Sequence, residues 1–368
     1  MRRPADAGRA VAWLLARAAR GGDTVVRAPQ LLLSLAGTLE VAVDDAAAIR
    51  ALEAAVGSGE VVVVPDSDGR ADRFGLAGVV AAEEALAEHV ERLLATAERE
   101  HGALVVVPDL PGARAPVDLT DALRAAHAAP AGIGADADGG VVVTHAERLG
   151  LAEALGLCSR VPDGGRIVLQ GDPKRLATPG PGRFLLDLLV SRVAHVRAPD
   201  IAGGAALDSF AAAVRSGTLI APDAADRSVV VVPAPDDAAV VHRLGQLVTD
   251  SIPRTFGISP AEILVLTPLH RGVAGSRAVS DALAARGLGA RVNTVADAGA
   301  DHGDAVVLVL PAEAAGVLDL ALMLTAITRA RRHLSIVSAA GEAARIAVAR
   351  GARHRPRTRL AELLALGD

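Results

Sequence analysis

The feature that most limits the folds open to this chain is a series of short runs that are apolar at every position. They are ALVVVP from Ala103, VVVT from Val141, RIVLQ from Arg166, SVVVVPA around Val229, EILVLTP around Leu264 and AVVLVLP from Ala305. A strand with one wet face alternates apolar and polar residues, so unbroken Val, Ile and Leu demand cover on both faces, as in a parallel sheet flanked by helices. Segments of helical period, such as Asp237 to Asp250 and Arg277 to Arg286, lie between the runs and supply the crossovers that parallel strands need. The expectation is an α/β protein with two parallel-sheet units that divide between Pro199 and Asp226.

Ahead of these units, Ala46 to Val56 reads as a helix and Val61 to Phe74 as two short strands around the turn Asp66-Ser67-Asp68-Gly69. Helices followed by a hairpin predict a small α+β, winged-helix-like domain over residues 1–97, with a connecting helix from Val80 to Glu98. A packing domain with no DNA contact fits the same pattern. The opening MRRPADAGRAVAWLLARAARGG is expected to be an amphipathic helix, because Arg9, Arg17 and Arg20 interrupt the apolar stretch that a secretion signal needs.

No apolar run reaches the roughly 18 to 20 residues of a membrane helix, so a soluble protein with no membrane partner is expected. The single cysteine, Cys158, excludes an internal disulfide framework and suits a reducing cytoplasm. A net charge of −5 gives no global pull toward nucleic acid, which leaves only a local basic patch to provide one. Single-strand binders stack bases on aromatic faces, each worth about 1–3 kcal/mol. This chain offers only Trp13, Phe74, Phe184, Phe210 and Phe256, with no Tyr.

The stretch RIVLQGDPKRLATPGPGRFLLDLL, Arg166 to Leu189, reads as a buried strand, a Gly-Asp-Pro turn and a Gly-Pro-Gly bend into a helix. It resembles the third motif of the RecD-like branch of superfamily 1 DNA helicases, GDxxQL followed by GPG and a helix, with Arg175 standing where the family has Gln. ILVLTPLHRGVAGSRAVSDALAA, Ile263 to Ala285, resembles the family's strand, Pro, basic pair and Gly-x-x-Gly turn. LMLTAITRARRHLSIVS, Leu322 to Ser338, resembles its last motif, YTAxTRA.

The resemblance runs from about Gly102 to the end of the chain. It implies two RecA-like domains, residues 98–205 and residues 206–368, the second carrying a basic tail. It also implies remnants of a nucleotide cleft at Gly112, Arg114, Gly171, Asp172, Arg175, Arg271, Thr328 and Arg329. In the family the position of Arg329 reaches the γ-phosphate, a task that suits a planar guanidinium. Arg271 matches a basic position near the same cleft.

Where the family does its chemistry, this chain departs from it. The family's phosphate loop GGPGTGKT is here PDLPGARA, Pro108 to Ala115. Pro108 and Pro111 have no N–H to donate, Asp109 would repel phosphate, Arg114 replaces the lysine and Ala115 lacks a hydroxyl for magnesium. The second motif ends Thr144-His145-Ala146-Glu147 in place of Asp-Glu-Ala-Ser, and the spacing puts Glu147 too far along to replace either acid. The fifth reads Thr294-Val295-Ala296-Asp297-Ala298-Gly299-Ala300, without the family's basic and polar groups. About thirty residues separate the first two motifs, too few for a DNA-contacting insert. Between Arg286 and Thr294 there is no room for the family's small β-barrel.

His145, His270, His302 and His333 show no metal-ligand spacing and read as polar surface or core padding, so no metal is expected. No GxSxG elbow is present, and no catalytic residue is assigned. Arg331, Arg332, Arg353 and Arg355 are candidates for contact with DNA or another phosphate, the alternative being a solvated helix end and a frayed tail. The expectation is a cytoplasmic, non-catalytic pseudo-helicase without cofactor, whose partner is DNA or a DNA-processing protein. Two alternatives stand beside it. One is a residual helicase using ATP and Mg, with Arg114 for the lysine and Glu147 for the acid; the other is a winged-helix DNA-binding module.

Overall fold

The computed structural model describes residues 7–43, 45–65, 72–97, 103–114, 119–129, 132–136, 139–201, 205–223 and 225–365. The expected turn at Asp66 to Gly69, and Ala115 in the segment expected to match the phosphate loop, lie outside the described residues.

The chain opens with α1 (Ala7–Arg20), β1 (Val26–Arg27), α2 (Ala28–Leu39) and α3 (Ala46–Gly57), then β2 (Val61–Pro65) and β3 (Asp72–Leu76). Pro29 sits in the first turn of α2, where its missing N–H costs nothing. Asp45 caps α3 by accepting the Ala47 N–H at 2.7 Å, a bond worth about 1 kcal/mol. β3 lies between β1 and β2 and runs antiparallel to both. Val11, Leu31, Leu35, Ala48 and Phe74 fill the core of this unit. In α4 (Ala77–Thr96) the buried residues Val80, Glu83, Leu86, Val90 and Leu93 recur every three or four positions, so one stripe of the helix faces inward.

A first parallel sheet follows. Its elements are β4 (Leu104–Pro108), β5 (Ala113–Arg114), α5 (Thr120–Ala128), β6 (Ile133–Ala135), β7 (Val141–Val143), α6 (Leu151–Arg160), β8 (Ile167–Gly171), α7 (Phe184–Ser191), β9 (His195–Val196) and β10 (Asp200–Ile201). The strand order is β6-β7-β8-β4-β9, and only β6 is antiparallel to its neighbour. Val105, Val106, Val107, Val142, Val168 and Leu169 are buried, the two-sided cover that an unbroken apolar strand requires. β5 and β10 form a separate antiparallel pair. Among the described residues between β5 and β7, α5 and β6 are the helix and strand present.

The second sheet is parallel throughout, in the order β11-β15-β14-β12-β13. It is built from α8 (Ala206–Arg215), β11 (Val229–Pro233), α9 (Asp237–Gln246), α10 (Ile252–Phe256), β12 (Ile263–Thr267), α11 (Ser276–Ala284), β13 (Arg291–Thr294), β14 (Gly303–Leu310), α12 (Leu320–Ile327), β15 (Ala330–Ser338) and α13 (Glu342–Arg350). One helix is expected over Asp237 to Asp250, but it widens into a π turn at Leu247–Ser251 before α10. Pro253 explains this, because it has no N–H to return to Thr249 and its ring crowds a regular turn. Only residues 285–290 separate α11 from β13.

The last helix, α14 (Leu360–Ala365), leaves the second sheet altogether. Leu360 and Leu364 are buried among Leu86, Val90, Phe184 and Leu188, on α4 and α7. The segment leading to it is pinned rather than frayed, which corrects the solvated-tail expectation. Asp23 accepts bonds from His354 Nε2 at 3.1 Å and the Arg357 N–H at 2.8 Å, and Arg73 holds Glu362 through two bonds of 2.9 Å. No helix among the described residues is long and apolar enough to cross a membrane.

Candidate functional site

In a parallel sheet the loops after the strands collect at one edge, where ligands usually bind. In the first sheet these loops carry Asp109 after β4, His145 and Glu147 after β7, and Asp172 and Arg175 after β8. The second sheet meets them with the starts of its strands, bringing His302 before β14 and Arg329 before β15. Arg329 Nη1 lies 3.5 Å from His145 Nδ1 and 3.4 Å from His302 Nε2. The Leu176 N–H donates to Thr325 Oγ1 at 2.7 Å, and Arg148 reaches the Ala296 carbonyl at 3.5 Å. These contacts join the two sheets across the cleft, and a cavity opens against it at Glu147 and Arg175.

Arg175 fills its centre. Its guanidinium makes an ion pair with the Asp109 carboxylate and a second bond of 3.2 Å to the Asp109 carbonyl. The Arg175 side chain is 6% exposed and that of Asp109 27%. Burial alone would raise the Asp109 carboxyl, but the charge and hydrogen bond of Arg175 outweigh it and hold the group below its usual range. Burial likewise opposes the charge on Arg175, and Asp109 with Glu147 more than restores it. Asp172 is also taken: Arg215 donates to it at 2.7 and 3.3 Å, and the Lys174 N–H at 3.0 Å.

The loop after β4 does not present a nest of N–H groups in its described residues, Asp109 to Ala113. Gly112 makes the turn with φ +72°, and Ala113 and Arg114 then pair with Ile201 and Asp200 in the ladder of β5 and β10. Their backbone is committed to that ladder instead of forming a nest of N–H groups. The Arg114 side chain lies outside the described residues.

Glu147 requires a correction to the sequence reading. His145 adopts the left-handed conformation, φ +54° and ψ +41°, and turns the chain into one 3₁₀ turn over Ala146–Arg148. The turn brings the Glu147 carboxylate back beneath the end of β8, where Oε2 accepts the Asp172 N–H at 3.3 Å. A Cβ on Gly171 would stand 2.5 Å from that oxygen, so glycine is required there. Oε1 of Glu147 is buried without a hydrogen-bond partner among the described residues and sits 3.8 Å from His145 Nδ1.

His145 and His302 are corrected as well, because they are neither surface nor simple padding. His127, His145 and His302 form a ring series across the cleft, with centroids 5.3 and 5.7 Å apart. Burial, reinforced by Arg329, pushes His302 down to about 3, so it is neutral at pH 7. Burial also lowers His127. Arg329 is 2% exposed and is pushed down to about 10, first by burial and then by Arg175. Among the described residues its side chain bonds to imidazoles alone, and its Nε has no partner.

Of the expected cleft residues, the structure brings together Gly171, Asp172, Arg175 and Arg329. Thr328 instead bonds back to the Leu324 carbonyl at 2.8 Å. Arg271 is exposed in the turn after β12, with no bond to this cluster. Arg332 is tied to Asp304 and the Phe256 carbonyl, both at 3.4 Å, while Arg331, Arg353 and Arg355 are exposed. Among the described residues no group of three His, Cys, Asp or Glu could hold a metal ion. Asp109 was legible only as a repellent to phosphate, and Arg215 was not legible at all.

No protein-family model matches the chain. Among solved structures it is similar to the crystal structure of Arterivirus nonstructural protein 10 (helicase), at 18% identity over 77% of this chain and 71% of that chain, with a TM-score of 0.35. The complex of that helicase with DNA gives 16% identity over 78% and 73%, with a TM-score of 0.35. The structure of PRRSV helicase gives 17% over 76% and 61%, with a TM-score of 0.32. Likeness at this level carries no argument for function, and the α/β architecture rests on the strand orders above.

Proposed function

We propose that this chain is a non-catalytic member of the RecD-like helicases, with two RecA-like domains at residues 98–205 and 206–368 behind a winged-helix-like unit at 1–97. The last domain lends α14 back to the first two. What carries the reading is the Arg175–Asp109 ion pair, which occupies the place where a triphosphate would have to enter and satisfies both charges without it. The test is thermal unfolding with magnesium ATP. No shift in melting temperature is expected, and a stabilisation that saturates at micromolar nucleotide would overturn the proposal.

The partner in this reading is DNA or a DNA-processing protein. The order α1-β1-α2-α3-β2-β3 supports a winged helix. Its α3, however, exposes Ile49, Arg50 and Glu53, a poor set for gripping phosphate. Arg331, Arg353 and Arg355 are the cations available for that purpose. DNA binding through them would weaken steeply with salt, and salt-independent binding would point to a protein partner.

One observation favours a second reading, a residual ATPase, because the turn at His145 restores one carboxylate to the cleft. A single acid without phosphate loop or lysine leaves the nucleotide unheld. Turnover of ATP with single-stranded DNA, abolished by Arg329→Ala, would establish that alternative.

A further inference from the structure

A cavity of about 840 Å³ opens against the cleft, with Glu147 and Arg175 in its lining. The Pro173–Ala177 loop and α7 form one side, the start of α12 another, and residues Arg350 to Pro356 the outer wall. The volume falls in the range of about 300–1,000 Å³ that small-molecule sites occupy.

Its lining has two characters. Leu176, Leu186, Val190 and Leu320 give it an apolar wall, and Lys174, Arg183, Arg350, Arg353 and Arg355 surround that wall with positive charge. Three of the cations are fixed by carbonyls, which orient them without neutralising them. Lys174 Nζ bonds to the Arg215 carbonyl at 3.2 Å and Arg350 to that of Leu318 at 3.0 Å; Arg183 bonds to those of Gly21, Gly180 and Gly182 at 2.7–3.2 Å. Arg353 and Arg355 are exposed and have no bonded partner among the described residues.

The acids within reach are otherwise engaged. Asp319 caps α12 by accepting the Leu322 N–H at 2.9 Å, and Glu147 accepts that of Asp172. Asp187 and Asp23 lie near Arg183, but Asp187 bonds Thr358, and Asp23 bonds His354 and the Arg357 N–H. These bonds leave the carboxylates charged, but the lining sets six cations, Lys174, Arg175, Arg183, Arg350, Arg353 and Arg355, against two acids, Glu147 and Asp319; that positive excess stands against an apolar wall, and Arg forks suit phosphate oxygens bidentately.

We propose that this cavity binds a small phosphate monoester with an apolar body, at a site that shares Glu147 and Arg175 with the cleft but includes neither Asp109 nor Arg329. The test is titration of the full chain with 4-methylumbelliferyl phosphate, followed by fluorescence anisotropy, with 4-methylumbelliferone and inorganic phosphate titrated as its two halves. The aryl phosphate is expected to bind at least about tenfold tighter than either half, and to lose about tenfold in the exposed double variant Arg353→Glu, Arg355→Glu. Arg329→Ala is expected to leave binding unchanged. Three results would overturn the proposal: no saturable binding of the aryl phosphate, equal binding by the charge-reversed variant, or loss of binding in Arg329→Ala, which would place the ligand in the cleft. Stoichiometric displacement by a single-stranded oligonucleotide would also overturn it, in favour of a nucleic-acid tract.

Discussion

The ion pair at the centre of the cleft makes an asymmetric prediction, because its two partners differ in access to water. Arg175 is 6% exposed, Asp109 27%. Asp109→Asn leaves a nearly dry guanidinium without its main counter-charge, though Glu147 and Asp172 still act on it. Removing one partner of a fully buried pair costs about 3–5 kcal/mol, and the water at Asp109 together with the two remaining acids brings the expectation to about 2–4. Arg175→Gln removes the drier charge and leaves Asp109 a carboxylate that can turn toward solvent, at about 1–2 kcal/mol. The double variant should cost less than the two singles together, with a coupling of about 1 kcal/mol or more. Urea unfolding followed by far-UV circular dichroism measures all three, a suitable probe since the chain has one Trp and no Tyr. If Arg175→Gln costs as much as Asp109→Asn, or both lie within about 0.5 kcal/mol of the parent, the pair does not hold the cleft as described.

The same pair has a pH signature. The Asp109 carboxyl is held below its usual 3.8, so its contribution is complete above about pH 4 and disappears as pH falls through the depressed value, and Asp109→Asn should flatten that acid limb. Asp187 carries the opposite sign: burial is the main force that raises it, from 3.8 to about 7, so the stability it confers is complete below pH 3.8 and is lost as pH rises through 7. Each tenfold change in proton affinity is worth about 1.4 kcal/mol, so Asp187→Asn should gain on the parent by on the order of 4 kcal/mol between pH 4 and 8, and a constant difference would contradict the burial. Burial pushes the Cys158 thiol up to about 12, so a thiol reagent at pH 8 should label it only as the chain unfolds. Leu364→Ala should cost about 2–4 kcal/mol in urea unfolding if α14 is part of the core, and nothing if it is a loose end.

The sheets were legible in the sequence for a simple reason. A run such as Leu104 to Val107 is apolar at every position because both of its faces are covered, and burial of that kind leaves its mark locally. The stripe of α4 was legible on the same grounds, although it contains Glu83, an acid buried for the three hydrogen bonds that Oε1 accepts from Thr24, Arg359 and Leu360. The cleft was legible only in part. His127 comes from the end of α5 and His145 and His302 from two loops, at unrelated spacings, and only the fold of the first unit and the packing of the second sheet's edge on it bring them together. The return of Glu147 depends on a left-handed backbone at His145; histidine is enriched in that conformation, but it remains too uncommon for the residue alone to announce it. LAELLA at the end of the chain could have been read as a short apolar helix, but nothing in it names the surface it covers.

Cations buried between two sheets need counter-charge from within the protein. Arg175 finds it in Asp109 within the first sheet, and Asp172 with Arg215 ties its edge to α8. Arg329 is left as the exception. It is nearly dry, it faces imidazoles of which His302 is held neutral, and among the described residues no carboxylate bonds it. The favourable contacts of its guanidinium must therefore be weighed against the cost of keeping the charge out of water, which its lowered proton affinity reflects. Arg329→Met, of similar length and without charge, should on this reasoning leave stability unchanged or raise it, as replacement of buried charge by well-packed apolar groups often does. A loss of more than about 2 kcal/mol would show that Arg329 has an anionic partner in solution.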